Sequence, residues 1–204
     1  MKNNIYIIGA GAIGKALAVS LKHAGKDVVL LRGRVDDKSN SRRKIQVVLN
    51  DGTELESEIA VSTINYFSEL EGIIVLTNKS YANEDLSRRL KNRIKNSPVV
   101  VLQNGLGVEK VFVDHDFPEI YRCVLFVTSQ NISQNKVRFK PVSVCPIGII
   151  KGNQANLATI VTKLNSPHFR FRAEPEIQTL IWKKAIINCV FNSICPLLEI
   201  DNGV

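Results

Sequence analysis

IYIIGAGAIG (residues 5–14) places four apolar residues directly before three glycines spaced G-x-G-x-x-G, and KALAVSLKHAG (residues 15–25) follows. A strand, a glycine turn and a helix in this order begin a βαβ unit that binds dinucleotides. Gly9 permits the tight turn, Gly11 lets a pyrophosphate approach the backbone, and Gly14 allows close helix–strand packing. The predicted cofactor-binding turn comprises Gly9, Ala10, Gly11, Ala12, Ile13 and Gly14. The alternative is a turn that needs only one glycine at positive φ.

The rest of the chain continues the alternation of strands and helices. Apolar runs of four or five residues at 27–32, 73–77 and 99–103 alternate with helical patterns at 13–24 and 82–95. Such runs indicate a parallel sheet that is buried on both faces, and therefore an α/β fold of the Rossmann type. Further predicted segments are a polar connection at 33–44, strands at 45–49, 58–62, 123–130, 136–140, 146–150 and 168–172, and helices at 153–164 and 176–194. We place the end of this dinucleotide-binding domain, residues 1–175, near Pro175.

The composition is that of an ordinary globular protein, with 45% hydrophobic and 23% charged residues. Neither an apolar run of about 20 residues nor a signal peptide is found, so we expect a cytoplasmic protein without a membrane partner. Its four cysteines lack metal-ligand spacing and are interpreted as reduced thiols, with no metal site.

The net charge of +8 favours anionic partners. The densest basic segment, residues 87–95, keeps apolar residues four apart and is predicted to be a helix with a solvated basic face. We therefore expect no nucleic-acid partner, and nucleic-acid binding is the weakest of the functional hypotheses.

The end of the second predicted strand indicates which dinucleotide binds. An NAD site usually has an acidic residue there, which accepts a hydrogen bond from the ribose 2′-hydroxyl. This chain instead has Arg32 and Arg34, which suit a 2′-phosphate and favour NADP(H). Asp36 and Asp37 follow slightly later and leave NAD as the alternative.

Polar residues also follow the later strands and line the last helix. Lys79 follows IIVLTN, and Asn104 follows VVVLQ. Lys184, Asn188 and Asn192 are four residues apart, so they share one face of the last helix. A solvated face is the alternative, but asparagine is a weak helix former, so a stripe that lines a cleft explains these residues better.

These pieces together resemble the ketopantoate reductase (2-dehydropantoate 2-reductase) family. The matching motifs are G-A-G-A-I-G at 9–14, the lysine at 79, Q-N-G-L-G at 103–107 and W-K-K-A-x-x-N-x-x-x-N at 182–192. The resemblance runs through the whole chain in order, and the segment 199–203 is similar to a later asparagine–glycine turn of the family.

The resemblance implies NADPH-dependent reduction of ketopantoate to pantoate, on the route to pantothenate and coenzyme A. Lys184 would be the general acid for a small 2-oxoacid substrate. Lys79 and Asn104 would bridge the cofactor and the substrate. The implied substrate-binding residues are Asn104, Asn188, Asn192 and Asn202.

The family is longer than this chain, so residues 176–204 are expected to be the first helix and turn of an incomplete helical C-terminal domain. The apolar side of that helix is predicted to be exposed unless another chain covers it, which a homodimer would do. The residues concerned are Leu180, Ile181, Ile186, Val190 and Ile194. Two alternatives follow: a reductase of another 2-oxoacid, and a catalytically weak NADP-binding homologue without a complete substrate site.

Overall fold

The computed structural model describes residues 3–33 and 37–198, without the side chains of residues 192–195 and 198. The strands are β1 Ile5–Ile8, β2 Val28–Arg32, β3 Asn40–Leu49, β4 Glu54–Thr63, β5 Ile73–Leu76, β6 Val99–Val101, β7 Ile120–Cys123, β8 Val127–Asn131, β9 Lys136–Pro141, β10 Cys145–Lys151 and β11 Phe171–Ala173. The helices are α1 Ala12–His23, α2 Asn83–Lys91, α3 Lys110–Asp114, α4 Gln154–Leu164 and α5 Ile177–Leu198.

The strands form one sheet in the order β11-β10-β7-β6-β5-β1-β2-β4-β3-β9-β8. Its centre, from β7 to β4, is parallel throughout. Antiparallel pairs occur toward the edges, between β10 and β7, between β3 and β4, and between β8 and β9. The strand order reverses around β1, as it does in doubly wound sheets. The predicted α/β fold of the Rossmann type is confirmed.

The innermost strands β1, β5 and β6 are apolar throughout because helices cover both faces of the sheet. Successive side chains of β1 point to opposite faces. Ile5 and Ile7 therefore pack in the cluster that includes α1 and α4, whereas Tyr6 and Ile8 pack in the cluster that includes α2 and α3. All four side chains are buried.

Several predicted segments have different boundaries in the structure; for example, β4 begins four residues before the strand predicted at 58–62, and β11 begins three residues after the start of that predicted at 168–172. The connection predicted at 33–44 overlaps β3, which begins at Asn40 and pairs with β4 from its first residue. The first half of β3 was not predicted as a strand because it is rich in charged residues. Their side chains project from the hairpin and form cross-strand ion pairs, of which Arg42–Glu58 is one. The run 123–130 contains the end of β7 and most of β8, and the basic helix ends at Lys91.

Helix α5 packs against β10 where Gly148 leaves room for it. A Cβ at Gly148 would lie 2.4 Å from the Cβ of Ile177. Ile177 and Ile181 are buried against Val124, so the prediction that Ile181 would be exposed was wrong. Helix periodicity explains the correction, since Ile181 lies one turn after Ile177 on the packed face.

The outer side of α5 is nevertheless apolar and accessible. Trp182, Ile186 and Val190 lie along it with relative exposures of 57%, 60% and 44%. Leu180 is half-buried, and the side chain of Ile194 lies outside the described part of the chain. Among the helices that the structure describes, none is both long and apolar enough for a membrane span. The domain boundary near Pro175 stays a prediction.

Candidate functional site

The residues singled out in the sequence gather at one edge of the sheet, beyond the carboxyl ends of the parallel strands. Gly9 directly follows β1, Gly33 follows β2, Lys79 comes shortly after β5 and Asn104 shortly after β6. Open α/β sheets bind their ligands at this edge, near the point where the strand order reverses. Two clefts open there, one over the glycine turn and one beneath α5.

The glycine turn is held tightly against the loop that follows β5. Gly9 has a φ of +119°, and a Cβ there would lie 2.6 Å from the amide nitrogen of Asn78. A Cβ on Gly14 would lie 2.0 Å from the carbonyl oxygen of Gly9. The hydroxyl of Thr77 donates to that same oxygen at 2.9 Å. Both glycines are therefore required by contacts within the chain.

Gly11 differs, because the space in front of it is open. It is the N-cap of α1, whose first turn contains no acidic residue and receives no hydrogen bond from a capping side chain. A Cβ built on Gly11 would meet nothing within 4 Å. The free N–H groups of this 12-residue helix thus face a cleft of about 400 Å³. A helix N-terminus with an uncovered backbone suits a phosphate, so these residues fit a dinucleotide.

Arg32 lines the same cleft, but an acidic residue engages it. Its Nη2 donates to Asp37 Oδ1 at 3.0 Å and also contacts the Ser39 hydroxyl. Hydrogen bonds from Ser39, and secondarily from Arg32, hold the pKa of Asp37 below its ordinary value. The cleft therefore presents a cation suited to a 2′-phosphate, and Asp37, which pairs with that cation, is a carboxylate of the kind that binds ribose hydroxyls. Arg34 and Asp36 lie outside the described residues.

A buried amide network joins the two clefts. Asn83 Nδ2 donates to Gln103 Oε1 at 2.7 Å, and Gln103 Nε2 donates back to Asn83 Oδ1 at 2.8 Å. Gln103 Nε2 also lies 2.9 Å from the carbonyl oxygen of Asn78. The network thus connects the backbone beside Lys79, which lines the first cleft, to the backbone beside Asn104, which lines the second.

The second cleft, of about 320 Å³, brings Lys184 and Asn188 opposite Asn104. Lys184 is half-buried, with its Nζ 5.2 Å from the centroid of the Phe126 ring, whereas the adjacent Lys183 is exposed. The helical spacing of Lys184 and Asn188 therefore turns both toward the fold. The side chain of Asn192 and all of Asn202 lie outside the described residues.

The walls around Lys184 are mostly apolar or neutral. Val124, Ile181 and Cys123 line the cleft. Burial raises the pKa of the Cys123 thiol well above its ordinary value, so this neighbour of the lysine is neutral at physiological pH. Cys123, Cys145 and Cys189 are free thiols. In the described part of the chain, no group of three or more His, Cys, Asp or Glu residues is arranged to hold a metal.

Arg122, which no sequence pattern singled out, is 2% exposed at the edge of the second cleft. Its guanidinium donates to the carbonyl oxygens of Gln103 at 2.8 Å and Gly105 at 2.9 Å. The available signal was a single charged residue inside the apolar run IYRCV, because a buried arginine requires partners. Asn83 and Gln103, which hydrogen-bond to each other, gave no comparable signal in the sequence.

The comparisons with known proteins agree with this architecture. The family model described as ketopantoate reductase PanE/ApbA matches residues 5–152. A 2-dehydropantoate 2-reductase of Pyrococcus abyssi is 26% identical over 204 residues, a match that covers 98% of this chain and 66% of that protein. The chain thus spans slightly less than two thirds of the length of this curated relative.

Solved structures share the fold. A 2-dehydropantoate 2-reductase from Geobacter metallireducens superposes with a TM-score of 0.78 at 20% identity, over 96% of this chain and 66% of that one. D-mandelate dehydrogenase in complex with NADH and anilino(oxo)acetate gives 0.74 at 24% identity, over 96% and 64% respectively. The family model covers well over half of the chain, and the glycine turn and both clefts lie where such a fold binds its ligands. The chain belongs to the ketopantoate reductase PanE/ApbA family.

Proposed function

We propose that the chain binds NADPH and reduces 2-dehydropantoate to pantoate, as its family membership suggests. The observation that carries the proposal is the pair of adjacent clefts. One has an open helix N-terminus suited to phosphate, and the other has a lysine and an asparagine of α5 opposite the Asn104 amide. A buried amide network holds the loops between them.

In the first cleft the chain's own groups would bind and orient the dinucleotide. The backbone of Gly11 and the N-terminus of α1 would hold the pyrophosphate. Arg32 would meet the 2′-phosphate after exchanging its contact with Asp37, and Lys79 would lie along the cofactor toward the second cleft. The bound nicotinamide would supply a hydride to the substrate.

In the second cleft Lys184 would act as the general acid. Its Nζ carries the proton that the carbonyl oxygen of the substrate needs when it becomes a hydroxyl, and the ammonium stabilises negative charge at that oxygen beforehand. Asn104 and Asn188 would donate amide hydrogens to the substrate's hydroxyl or carboxylate oxygens. Val124 and Ile181 would exclude water, which strengthens these interactions.

The substrate is the finer part of the proposal. Its support is the family and the 2-dehydropantoate 2-reductases among the relatives. The likeness to D-mandelate dehydrogenase makes another 2-oxoacid the alternative. A comparison of kcat/KM for 2-dehydropantoate and for benzoylformate, an aromatic 2-oxoacid, distinguishes the two. The first should be the better substrate if the proposal is right.

The role of Lys184 is tested with a matched pair of variants, Lys184→Ala and Lys183→Ala. Both remove one lysine from the same turn of α5, but Lys183 is exposed and lines neither of the two clefts at this site. Loss of a general acid lowers the rate by about 10²–10⁴-fold. We expect this loss in kcat for Lys184→Ala, with an unchanged dissociation constant for NADPH, and less than a twofold effect for Lys183→Ala. Equal effects of the two changes would refute the role.

The remaining alternative is a homologue that binds NADP(H) without turning over a 2-oxoacid. It predicts quenching or enhancement of NADPH fluorescence by the chain with no oxidation when substrate is added. A homodimer that covers the exposed apolar side of α5, including the predicted residues Ile186 and Val190, stays a prediction, which sedimentation equilibrium tests directly.

A further inference from the structure

Arg122 is a charged residue placed where the fold would ordinarily use an apolar one. It is the third residue of β7, between the buried side chains of Tyr121 and Cys123, and is itself 2% exposed. Burying a guanidinium is strongly unfavourable unless each side of it is paired or hydrogen-bonded. The contacts that compensate for this burial indicate what the residue does.

The guanidinium contacts three points of the segment that follows β6. Nη1 donates to the carbonyl oxygen of Gln103 at 2.8 Å, and Nη2 donates to that of Gly105 at 2.9 Å. Nε lies 3.1 Å from Glu109 Oε2, on a side chain that is 12% exposed. Glu109 is the N-cap of α3, so one side chain joins β7, the loop and the start of the next helix.

These contacts bracket Asn104. The carbonyl groups of Gln103 and Gly105 lie on either side of it, so fixing both restricts the backbone of Asn104 and thereby the direction of its side chain. The loop has no regular secondary structure of its own, since Gly105 and Gly107 both adopt positive φ and no helix begins before α3. A planar fork with donors in fixed directions can hold two carbonyls at once, whereas a lysine ammonium lacks that geometry.

We infer that Arg122 is the positioning residue of the second cleft, which holds the Gln103–Gly105 backbone so that the Asn104 amide faces Lys184 and Asn188. Arg122 lines the same cleft, but its Nη1 and Nη2 donate to the loop and its Nε forms an ion pair with Glu109, so it acts through Asn104. The inference rests on the proposed function only for the identity of the molecule that Asn104 would bind.

Hydrogen exchange tests the positioning without any need for turnover. The amides of Lys110, Phe112 and Val113 donate to the carbonyl oxygens of Gly107 and Glu109 at the end of the loop. In Arg122→Lys these three amides should exchange at least about tenfold faster than in the unaltered chain, while those of β1 and α1 keep their rates. Unchanged exchange of the three amides would overturn the inference. Acceleration spread evenly over the chain would also overturn it, because Arg122 would then support the fold as a whole.

Two further variants guard against misfolding and nonspecific effects. Arg122→Leu combined with Glu109→Leu removes both buried charges together, which avoids leaving one uncompensated. It should accelerate the exchange of the same three amides. Arg88→Lys is the matched control, since Arg88 is exposed on α2 and pairs with Glu84 at 2.6 Å. It should leave the exchange of these three amides unchanged.

Kinetics test whether the effect passes through Asn104. Arg122→Lys should lower kcat/KM for 2-dehydropantoate at least about tenfold, but less than twofold in a chain that already carries Asn104→Ala. Equal losses in both backgrounds would overturn the inference. If the unaltered chain shows no turnover, the proposed function fails, and hydrogen exchange alone still decides the role of Arg122.

Discussion

Alanine substitutions at Gly11 and Gly14, made separately, should have different effects: the first should weaken cofactor binding, and the second should lower the stability of the fold. The two glycines are three residues apart, but their surroundings are opposite. A Cβ on Gly11 meets nothing within 4 Å, whereas a Cβ on Gly14 would lie 2.0 Å from the Gly9 carbonyl oxygen and 2.8 Å from Thr77 Oγ1. Only the first substitution fits the unliganded turn without rearrangement.

The cost of Gly14→Ala follows from that contact. The start of α1 must move by about 1 Å to bring the new Cβ to an ordinary approach, and overpacking of this kind costs about 1–3 kcal/mol. Displacement of the Gly9 carbonyl also weakens its hydrogen bond from Thr77, which adds about 1 kcal/mol. We expect a loss of about 2–4 kcal/mol, or about 5–15 °C in Tm for a chain of this length.

Gly11→Ala should behave in the opposite way. Gly11 has φ −80°, which alanine adopts without strain, and the poorer N-cap costs about 0.5–1 kcal/mol. The added methyl group, however, occupies the space through which a pyrophosphate would approach the helix N-terminus. The dissociation constant for NADPH should therefore rise at least about tenfold.

Thermal unfolding by circular dichroism and titration of NADPH fluorescence measure the two effects on the same preparations. The reasoning is refuted if Gly11→Ala binds NADPH as tightly as the unaltered chain. It is also refuted if Gly14→Ala unfolds at the same temperature, because the 2.0 Å contact would then be relieved at no cost.

Two other substitutions test the preference for NADPH over NADH and the packing of α5 against β10. Asp37→Asn removes the negative charge that faces Arg32, so the ratio of NADPH affinity to NADH affinity should increase severalfold. Fluorescence titrations measure this ratio, and an unchanged ratio would show that the 2′-phosphate binds away from Arg32. Gly148→Ala inserts a Cβ 2.4 Å from that of Ile177, so it should lower Tm. Because it displaces α5 and with it Lys184, it should also reduce kcat. A chain with unchanged Tm and kcat would contradict this packing.

The parts of the fold that follow from local sequence were predictable. The apolar run of β1, the glycines and the helix pattern of α1 are contiguous, and the structure bounds them within one residue of the predicted limits. The apolar strands β2, β5 and β6 were found for the same reason. The fold class was predicted from these segments, and the family from the glycine turn together with Lys79 and the motifs at 103–107 and 182–192; both predictions are confirmed.

Features that depend on distant partners were not predictable. The first half of β3 is polar, and it becomes a strand only because β4 supplies hydrogen bonds and opposite charges. Arg122 contacts Gln103, Gly105 and Glu109, which are 13–19 residues away in sequence. The reciprocal amide pair of Asn83 and Gln103 joins a helix to a strand end. None of these three features has a periodicity that a sequence pattern could reveal.

The candidate site falls between these cases. Helix periodicity placed Lys184 and Asn188 on one face of the last helix, and the structure turns both toward the cleft while Lys183 is exposed. The engagement of Arg32 by Asp37 was not foreseen, because it depends on how the loop after β2 returns to the strand. The roles of these residues stay predictions until variants are measured.

The most direct measurement is the initial rate of NADPH oxidation by the purified 204-residue chain with 2-dehydropantoate, followed at 340 nm with the product quantified. Our account predicts saturable turnover that yields one pantoate per NADPH consumed and falls at least about 100-fold in Lys184→Ala. NADPH binding without oxidation above the rate of Lys184→Ala would contradict it, and would leave this chain a dinucleotide-binding protein without reductase activity of its own.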